Sequence, residues 1–324
     1  MKTLRIAALL CLFGSASSLL ASPAAPQGGL ALVPPDSLAV AVVSLERLRA
    51  SNVAPSLFHQ ADEITVDGKA SAFLKDAGLD PKRDVDSVVF SLSAGAHDEA
   101  RPLVAFEGRF DPVALAAATL SRGATRVDGA IPYLRLPASA SSSGNGHGGE
   151  PGAVAFLSAR VILAGSEPAI LDALDLSSKG RNGLPAGGKL AEMVRKIDSR
   201  SSAWVVVDAA RMRSLKEAAS RDSVGAGPAS AVYSALSSVS WIVFQADVSS
   251  GDVDVKATGL SSDEEARQNI EDVLRGMIAA WRMAVQDKHP ELVAMLRKFR
   301  VSRDSEGVTI SGKLPAELFK SAMR

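Results

Sequence analysis

The clearest pattern of apolar and polar positions lies in residues 238–287, where two strands and a long helix follow one another. Apolar residues fill both faces of 239–246, which indicates a buried central strand. In 253–258 apolar and polar residues alternate, as in a strand with one solvated face. Apolar residues then recur every three or four positions along 266–285 and predict an amphipathic helix. The pattern therefore predicts a hairpin covered by a helix.

The same patterns predict the other elements. Strands are expected at 38–43, 87–93, 103–107, 131–136, 153–157 and 160–164, and helices at 44–49, 69–77, 112–120, 167–174 and 189–197. Consecutive strands joined by short turns pair antiparallel. The predicted fold class is α+β, with two related halves. Each half is a mainly antiparallel sheet with helices on one face, of ferredoxin-like or split βαβ character. Whether the two sheets join edge to edge or stack stays open.

The order of elements in the second half repeats that of the first, which suggests an internal duplication. The matched segments, in order, are 43–49 with 207–213, 85–90 with 239–244, Gly108 with Gly259, and 160–169 with 306–316. The alternative is that any two α+β halves share patterns of this kind. If the halves are related, the helix of the second half is the longer one. Its extra turns, 277–285, are then expected to pack between the halves.

The amino terminus predicts export. Lys2 and Arg5 precede a short apolar run at 6–13 and then small residues, as in a secretory signal. The predicted segments are a signal peptide at 1–21 (cleavage between 17 and 25), a disordered lead-in at 22–35, a first half at 36–176, a linker at 177–188 and a second half at 189–324. The expected location is the periplasm or the outside of the cell.

Composition narrows the chemistry. The only cysteine, Cys11, lies in the signal, so a mature chain without it has no disulfide, catalytic thiolate or cysteine metal site. The formal net charge is zero, which gives no reason to expect nucleic acid binding. The apolar run at the amino terminus is too short to span a bilayer, and no transmembrane segment is expected in the mature chain. Aromatic residues make up 5% of the chain, so an aliphatic core is expected.

Four short motifs in the sequence resemble segments of a known group of proteins. They are Pro-Pro-Asp-Ser at 34–37, Leu-Asp-Pro-x-x-Asp-Val-Asp at 79–86, Gly-Arg-Phe-Asp-Pro at 108–112 and Leu-Ala-Gly-Ser-Glu-Pro at 163–168. Together they resemble a group of uncharacterised exported bacterial proteins with a duplicated α+β module. The resemblance covers most of the mature chain and rests on turn and cap signals. That group has no assigned activity, so the resemblance implies no catalytic residue.

The nearest match to a catalytic motif is the segment 183–189, which has the glycine and lysine spacing of a phosphate-binding loop. Leu190 stands where that loop needs a serine or threonine for magnesium, so a flexible linker is the preferred interpretation. Ser166 lies in no nucleophile motif and is interpreted as a helix cap.

No metal or cofactor is expected. The four histidines lack the close partner that a helical or hairpin metal site would need; they are His59, His97, His147 and His289. A small acidic group at Asp80, Asp84 and Asp86 lacks the calcium-loop pattern and fits turn capping better. The most basic run is interpreted as a solvated edge, with a role at an anionic surface as the alternative; it comprises Arg297, Lys298, Arg300 and Arg303.

The tryptophans Trp204, Trp241 and Trp281 fall on apolar faces, where core packing is the default interpretation. Trp241, Met277 and Trp281 are also possible contacts to a ligand or between the halves. The leading hypothesis is a non-enzymatic exported protein that acts through contact with an unknown protein partner. The alternatives are a carrier or sensor of a small apolar ligand bound between the halves, and a hydrolase with a dispersed site.

Overall fold

A single antiparallel sheet is the framework of the molecule. The computed structural model describes residues 28–51, 54, 69–95, 99–137, 151–198, 200–219, 237–248, 252–286 and 290–315, and within them twelve strands form one sheet. The strands are β1 (Ala39–Ser44), β2 (Val85–Ala94), β3 (Ala100–Gly108), β4 (Thr125–Val127), β5 (Tyr133–Arg135), β6 (Gly152–Phe156), β7 (Val161–Ser166), β8 (Ala203–Asp208), β9 (Trp241–Val248), β10 (Asp252–Leu260), β11 (Arg300–Arg303) and β12 (Gly307–Pro315).

Helices cover this sheet. They are α1 (Leu45–Arg49), α2 (Lys69–Asp76), α3 (Pro81–Asp84), α4 (Pro112–Leu120), α5 (Glu167–Ser178), α6 (Lys189–Arg195), α7 (Ala209–Ala219), α8 (Glu264–Val285) and α9 (Pro290–Leu296), with short 3-10 helices at Gly29–Leu32 and Leu184–Ala186. Local signals explain where they begin. Asp111 caps α4 by accepting hydrogen bonds from the N–H groups of Val113 and Ala114, and Pro112 occupies the first helical position.

The two halves join edge to edge. The strand order is β11-β12-β10-β9-β8-β1-β2-β3-β7-β6-β5-β4, and every pairing in it is antiparallel. The junction is the β1–β8 pair, whose ladder runs from Ala39 opposite Val207 to Val43 opposite Ala203. The arrangement of the two predicted sheets is therefore one continuous sheet.

Helices lie on both faces of the sheet, so the prediction of helices on one face is wrong. We define the front face by Val40, Leu163 and Val206, and the back face by Val43 and Phe106; the strand registers assign each set to one side. Apolar residues of α5 and α6 pack on the front face. Apolar residues of α2, α4 and α8 pack on the back face.

The path of the chain explains the helices on the front face. Strands β7 and β8 are consecutive along the chain, but β1, β2 and β3 lie between them in the sheet. The connection must therefore cross one face, and α5 and α6 form that crossing. A sequence pattern shows an apolar stripe on a helix but does not show on which side of the sheet the helix lies.

The prediction of a disordered lead-in is wrong for residues 28–35. Leu32 is 1% exposed, and with Val33 it belongs to the front-face core. The predicted linker packs against this segment: the N–H of Gly183 donates to the carbonyl of Ala31 at 2.8 Å, and the N–H of Leu184 to that of Val33 at 2.7 Å. Both segments are held because their apolar side chains and backbone groups have partners. The predicted signal peptide lies outside the described residues.

One side-chain contact occurs in both halves. A guanidinium nitrogen of Arg49, at the end of α1, donates to the carbonyl oxygen of Val85 at 2.6 Å. In the second half, Arg213 of α7 donates in the same way to the carbonyl oxygen of Val239 at 2.8 Å. These are the residues that the sequence alignment of the halves pairs with one another.

Candidate ligand cavity

An apolar cavity of about 750 Å³ lies between the back face of the first half and helices α2 and α4. Four phenylalanines contribute to its wall; they are Phe73, Phe106, Phe110 and Phe156. The sheet supplies its floor through alternate residues of β3, β6 and β7, because only every second side chain points to the back face. Ala164 of β7 belongs to this floor, and its small side chain leaves the space above it open.

The polar groups in the wall already have partners within the protein. The hydroxyl of Thr119 donates to the carbonyl of Leu115 at 2.7 Å, within α4. Among the described residues of the wall, Arg122 is the one with a charged side chain. It donates to Asp76 at 2.6 Å and to a backbone carbonyl of α4, and its guanidinium lies over the ring of Phe73 at 5.1 Å. The cavity therefore offers apolar contact and very little hydrogen bonding.

The acidic group that the sequence singled out lies near this cavity, and two of its members, Asp80 and Asp84, cap a turn as predicted. Asp80 accepts the N–H of Lys82 at the start of α3, and Asp84 accepts the N–H of Asp80. Asp86 forms an ion pair with Arg49 at 2.7 Å. Among the described residues, no three His, Cys, Asp or Glu side chains converge as a metal site would require.

A polar cluster joins α5 to the neighbouring strand β5. Glu167 accepts a hydrogen bond from Tyr133 and a bidentate contact from Arg135, with distances of 2.5 and 2.9 Å to the latter. The hydrogen bond from Arg135 lowers the pKa of Glu167 below its ordinary value, and the Glu167 carboxylate raises the pKa of Tyr133. Both oxygens of this carboxylate are engaged, so the arrangement suits attachment of the helix better than proton transfer.

The structure separates the three site residues that the sequence proposed. Trp241 is partly buried on the front face, against a core with residues of both halves. Met277 and Trp281 are 44% and 54% exposed on α8. The expectation that these turns pack between the halves is wrong, because α8 lies over β11 and β12 at the outer edge of the sheet. None of the three lines the apolar cavity.

The remaining sequence candidates have structural explanations or lie outside the described residues. In the loop that resembles a phosphate-binding loop, a Cβ on Gly183 would lie 2.1 Å from the carbonyl oxygen of Val33, so this glycine permits close packing of two backbone segments. Ser166 precedes α5 but makes no capping hydrogen bond through its side chain. The four histidines lie outside the described residues.

The cavity and the residues that form it were not predicted from the sequence. A signal was present: four of the ten phenylalanines of the chain lie in its wall, on elements spread between residues 73 and 156. Because aromatic residues make up only 5% of the chain, this concentration marks a region built from large rings. The aromatic residues proposed as contacts from the sequence were tryptophans instead. The cavity also lies within the first half, whereas the sequence hypothesis put an apolar ligand between the halves, where the β1–β8 ladder now runs.

Among the described helices, none combines the length and the apolar character that crossing a bilayer requires. Comparison of the sequence with protein-family models and with curated proteins finds no match. Comparison of the fold with solved structures does find similarity. The chain is similar to the "Structure of crystal form III of TP0453", with a TM-score of 0.52, 9% sequence identity, and coverage of 90% of this chain and 96% of that chain. Crystal form I of the same protein gives a TM-score of 0.49, 8% identity and coverage of 91% and 96%. At this identity the likeness shows a shared α+β fold and nothing about activity.

Proposed function

We propose that this protein binds a small, predominantly apolar ligand in the cavity between α2, α4 and the back face, and that it acts as a carrier or sensor and not as an enzyme. The observation that carries the proposal is the cavity itself, with its apolar wall and internally satisfied polar groups. A volume of about 750 Å³ lies within the range of small-molecule pockets, which are mostly apolar with few polar groups.

The cavity is partly open to solvent, so its apolar wall contacts water when no ligand is present. Filling it with a ligand removes the phenylalanine rings from water, and this is the driving force for binding.

Fluorescence titration tests the proposal. The neutral dye N-phenyl-1-naphthylamine should bind the purified protein after extraction of bound lipid, and long-chain alcohols should displace it. Replacing Ala164 by Phe reduces the cavity and should weaken dye binding at least about tenfold, because the ring occupies the floor of the site. Ala257→Phe is the matched control, since Ala257 also lies on the back face but in β10, away from the cavity. Equal dye binding by the wild type and both variants would contradict the proposal.

A second candidate function is contact with a protein partner through the outer end of α8. The observation that favours it is the exposure of Met277 and Trp281, large apolar side chains one helical turn apart. A photo-reactive residue at position 281 should cross-link to a defined partner in the native host. The same residue at Gln268, an exposed polar position of the same helix, should not. Equal cross-linking at both positions, or none at either, would contradict this candidate.

We further propose that the chain is exported, as its charged and apolar amino terminus suggests, and that its halves arose by duplication of one ferredoxin-like module. The paired contacts Arg49–Val85 and Arg213–Val239 support the duplication, because aligned residues make them. Strand order also supports it, since hairpins extend outward on both sides of the β1–β8 junction. Amino-terminal sequencing of the protein from its host tests export: a mature terminus between residues 17 and 26 is expected, and an intact Met1 would contradict it.

A further inference from the structure

A second concave site lies on the opposite face of the sheet and in the other half of the chain. It is an open depression of about 920 Å³ on the front face of the second half. We call it the cationic depression and define it by the six basic side chains that line it, which are Lys196, Lys256, Arg297, Lys298, Arg300 and Lys313. Three aspartates also line it, so basic groups are in excess.

The strand register explains why these side chains meet. Gln245, Lys256, Ser311 and Arg300 lie directly opposite one another across β9, β10, β12 and β11. Side chains at directly opposite positions of antiparallel strands share one face and lie close together. This row therefore forms a polar strip across four strands, on a face that is apolar in the first half. The change of character occurs within one continuous sheet.

Some of the charges in the depression are neutralised by ion pairs. Lys196 pairs with Glu306 at 2.6 Å, and Lys313 pairs with Asp254 at 3.3 Å. Asp198 is engaged by a residue outside the depression, Arg200, at 3.0 Å. Two of the six cations and two of the three aspartates that line the depression are therefore already engaged in ion pairs.

Four cations remain. In the part of the chain that the structure describes, Lys256, Arg297, Lys298 and Arg300 take part in no ion pair. The sequence grouped three of them with Arg303 in one basic run. The structure separates Arg303, which faces α8 and pairs with Glu271 at 2.9 Å. Within this run, the cations without an acidic partner are thus those that face the depression.

We propose that the cationic depression binds a compact anion that carries several phosphate or sulfate groups. Unneutralised basic groups around a concave surface create a positive potential that attracts anions. Arginine and lysine make their strongest hydrogen bonds to phosphate-type oxygens, and two arginines with planar donor groups are present here. The site is separate from the apolar cavity, so this proposal does not depend on the proposed function.

Calorimetric titration with sodium tripolyphosphate tests this proposal. We expect binding by the wild type at low ionic strength, and we expect the affinity to fall as salt is added, because salt screens exposed charges. The double variant Lys256→Gln, Arg300→Gln should bind at least about tenfold more weakly, since it removes two hydrogen bonds to a charged group. Both side chains are exposed and neither is in an ion pair in the described structure, so the variant should unfold at the wild-type urea concentration.

The matched control is Lys75→Gln, which removes an exposed cation from α2 in the first half and should leave binding unchanged. Absence of binding by the wild type at low salt would overturn the proposal. Equal affinity of all three proteins would also overturn it, because the attraction would then come from the general charge of the protein. Binding to vesicles that contain anionic phospholipid, without binding to tripolyphosphate, would instead assign the surface to a membrane and overturn the proposal.

Discussion

Ala164→Phe is the substitution that most sharply tests whether the apolar cavity is free space. Ala164 lies in β7 between Val104 of β3 and Val154 of β6, with its side chain in the floor of the cavity. Burying a phenylalanine side chain contributes about 1.5–3 kcal/mol. About 750 Å³ is much more than one ring needs, so little has to move. We expect the unfolding free energy of the lipid-free protein to rise by about 1–2 kcal/mol.

The control is an alanine-to-phenylalanine change at Ala153, which lies on the opposite face of the sheet. Ala153 is in the neighbouring strand β6, opposite Gly165, the residue after Ala164. It is 0% exposed in the front-face core. Ala153→Phe must displace packed neighbours and should lower the unfolding free energy by about 1–3 kcal/mol. Urea unfolding of both variants, followed by far-UV circular dichroism, measures the two effects. If both substitutions destabilise the protein to the same extent, the space above Ala164 is filled by the protein itself and the reasoning is refuted.

Three further predictions use the same unfolding assay. Glu167→Gln should make the unfolding free energy less sensitive to acid, because pairing with Arg135 lowers the pKa of Glu167 in the folded protein. The wild type loses the contribution of this pair as the pH falls below about 4.5. A variant with the same pH profile as the wild type would contradict this prediction. Trp281→Ala should cost less than about 1 kcal/mol, because the ring is half-exposed, whereas a loss of about 3–5 kcal/mol would indicate burial. Gly183→Ala should destabilise by about 1–3 kcal/mol through its clash with Val33, and a neutral result would argue against the close approach.

Local structure was the part of the fold that the sequence predicted well. The hairpin and helix expected in 238–287 are confirmed as β9, β10 and α8. The apolar stripe of α8 is buried at Ile270 and Ile278, as its spacing predicts. These features depend on residues near one another in the chain, so a window of about twenty residues contains the information that specifies them.

Long-range arrangement was not predictable in the same way. The disordered lead-in was expected from its prolines and glycines, but Leu32 and Val33 find partners in a core whose other members lie far along the chain. Trp281 was expected to be buried because it continues the stripe of α8, but the helix extends past the surface that its earlier turns cover. In both cases burial depends on what lies opposite, and the local pattern does not specify that.

The cavity illustrates the same limit. Phe106 and Phe156 each fall at a position of the alternating strand pattern that points to the back face. Phe73 lies on the apolar side of a helix that packs on this face. The sequence therefore indicates two apolar surfaces that should meet. Whether they touch or leave about 750 Å³ between them depends on the separation of helix and sheet, which no residue pattern encodes.

Native mass spectrometry of the protein purified gently from its host shows whether the cavity holds a ligand. Wild-type protein should carry an additional mass, mild organic extraction should remove it, and the removed molecule should be apolar. Protein carrying Ala164→Phe should show much less of this mass, and protein carrying Ala257→Phe should show as much as the wild type. A wild-type mass equal to that of the bare polypeptide before extraction, or equal retention by both variants, would show that the cavity does not bind a ligand.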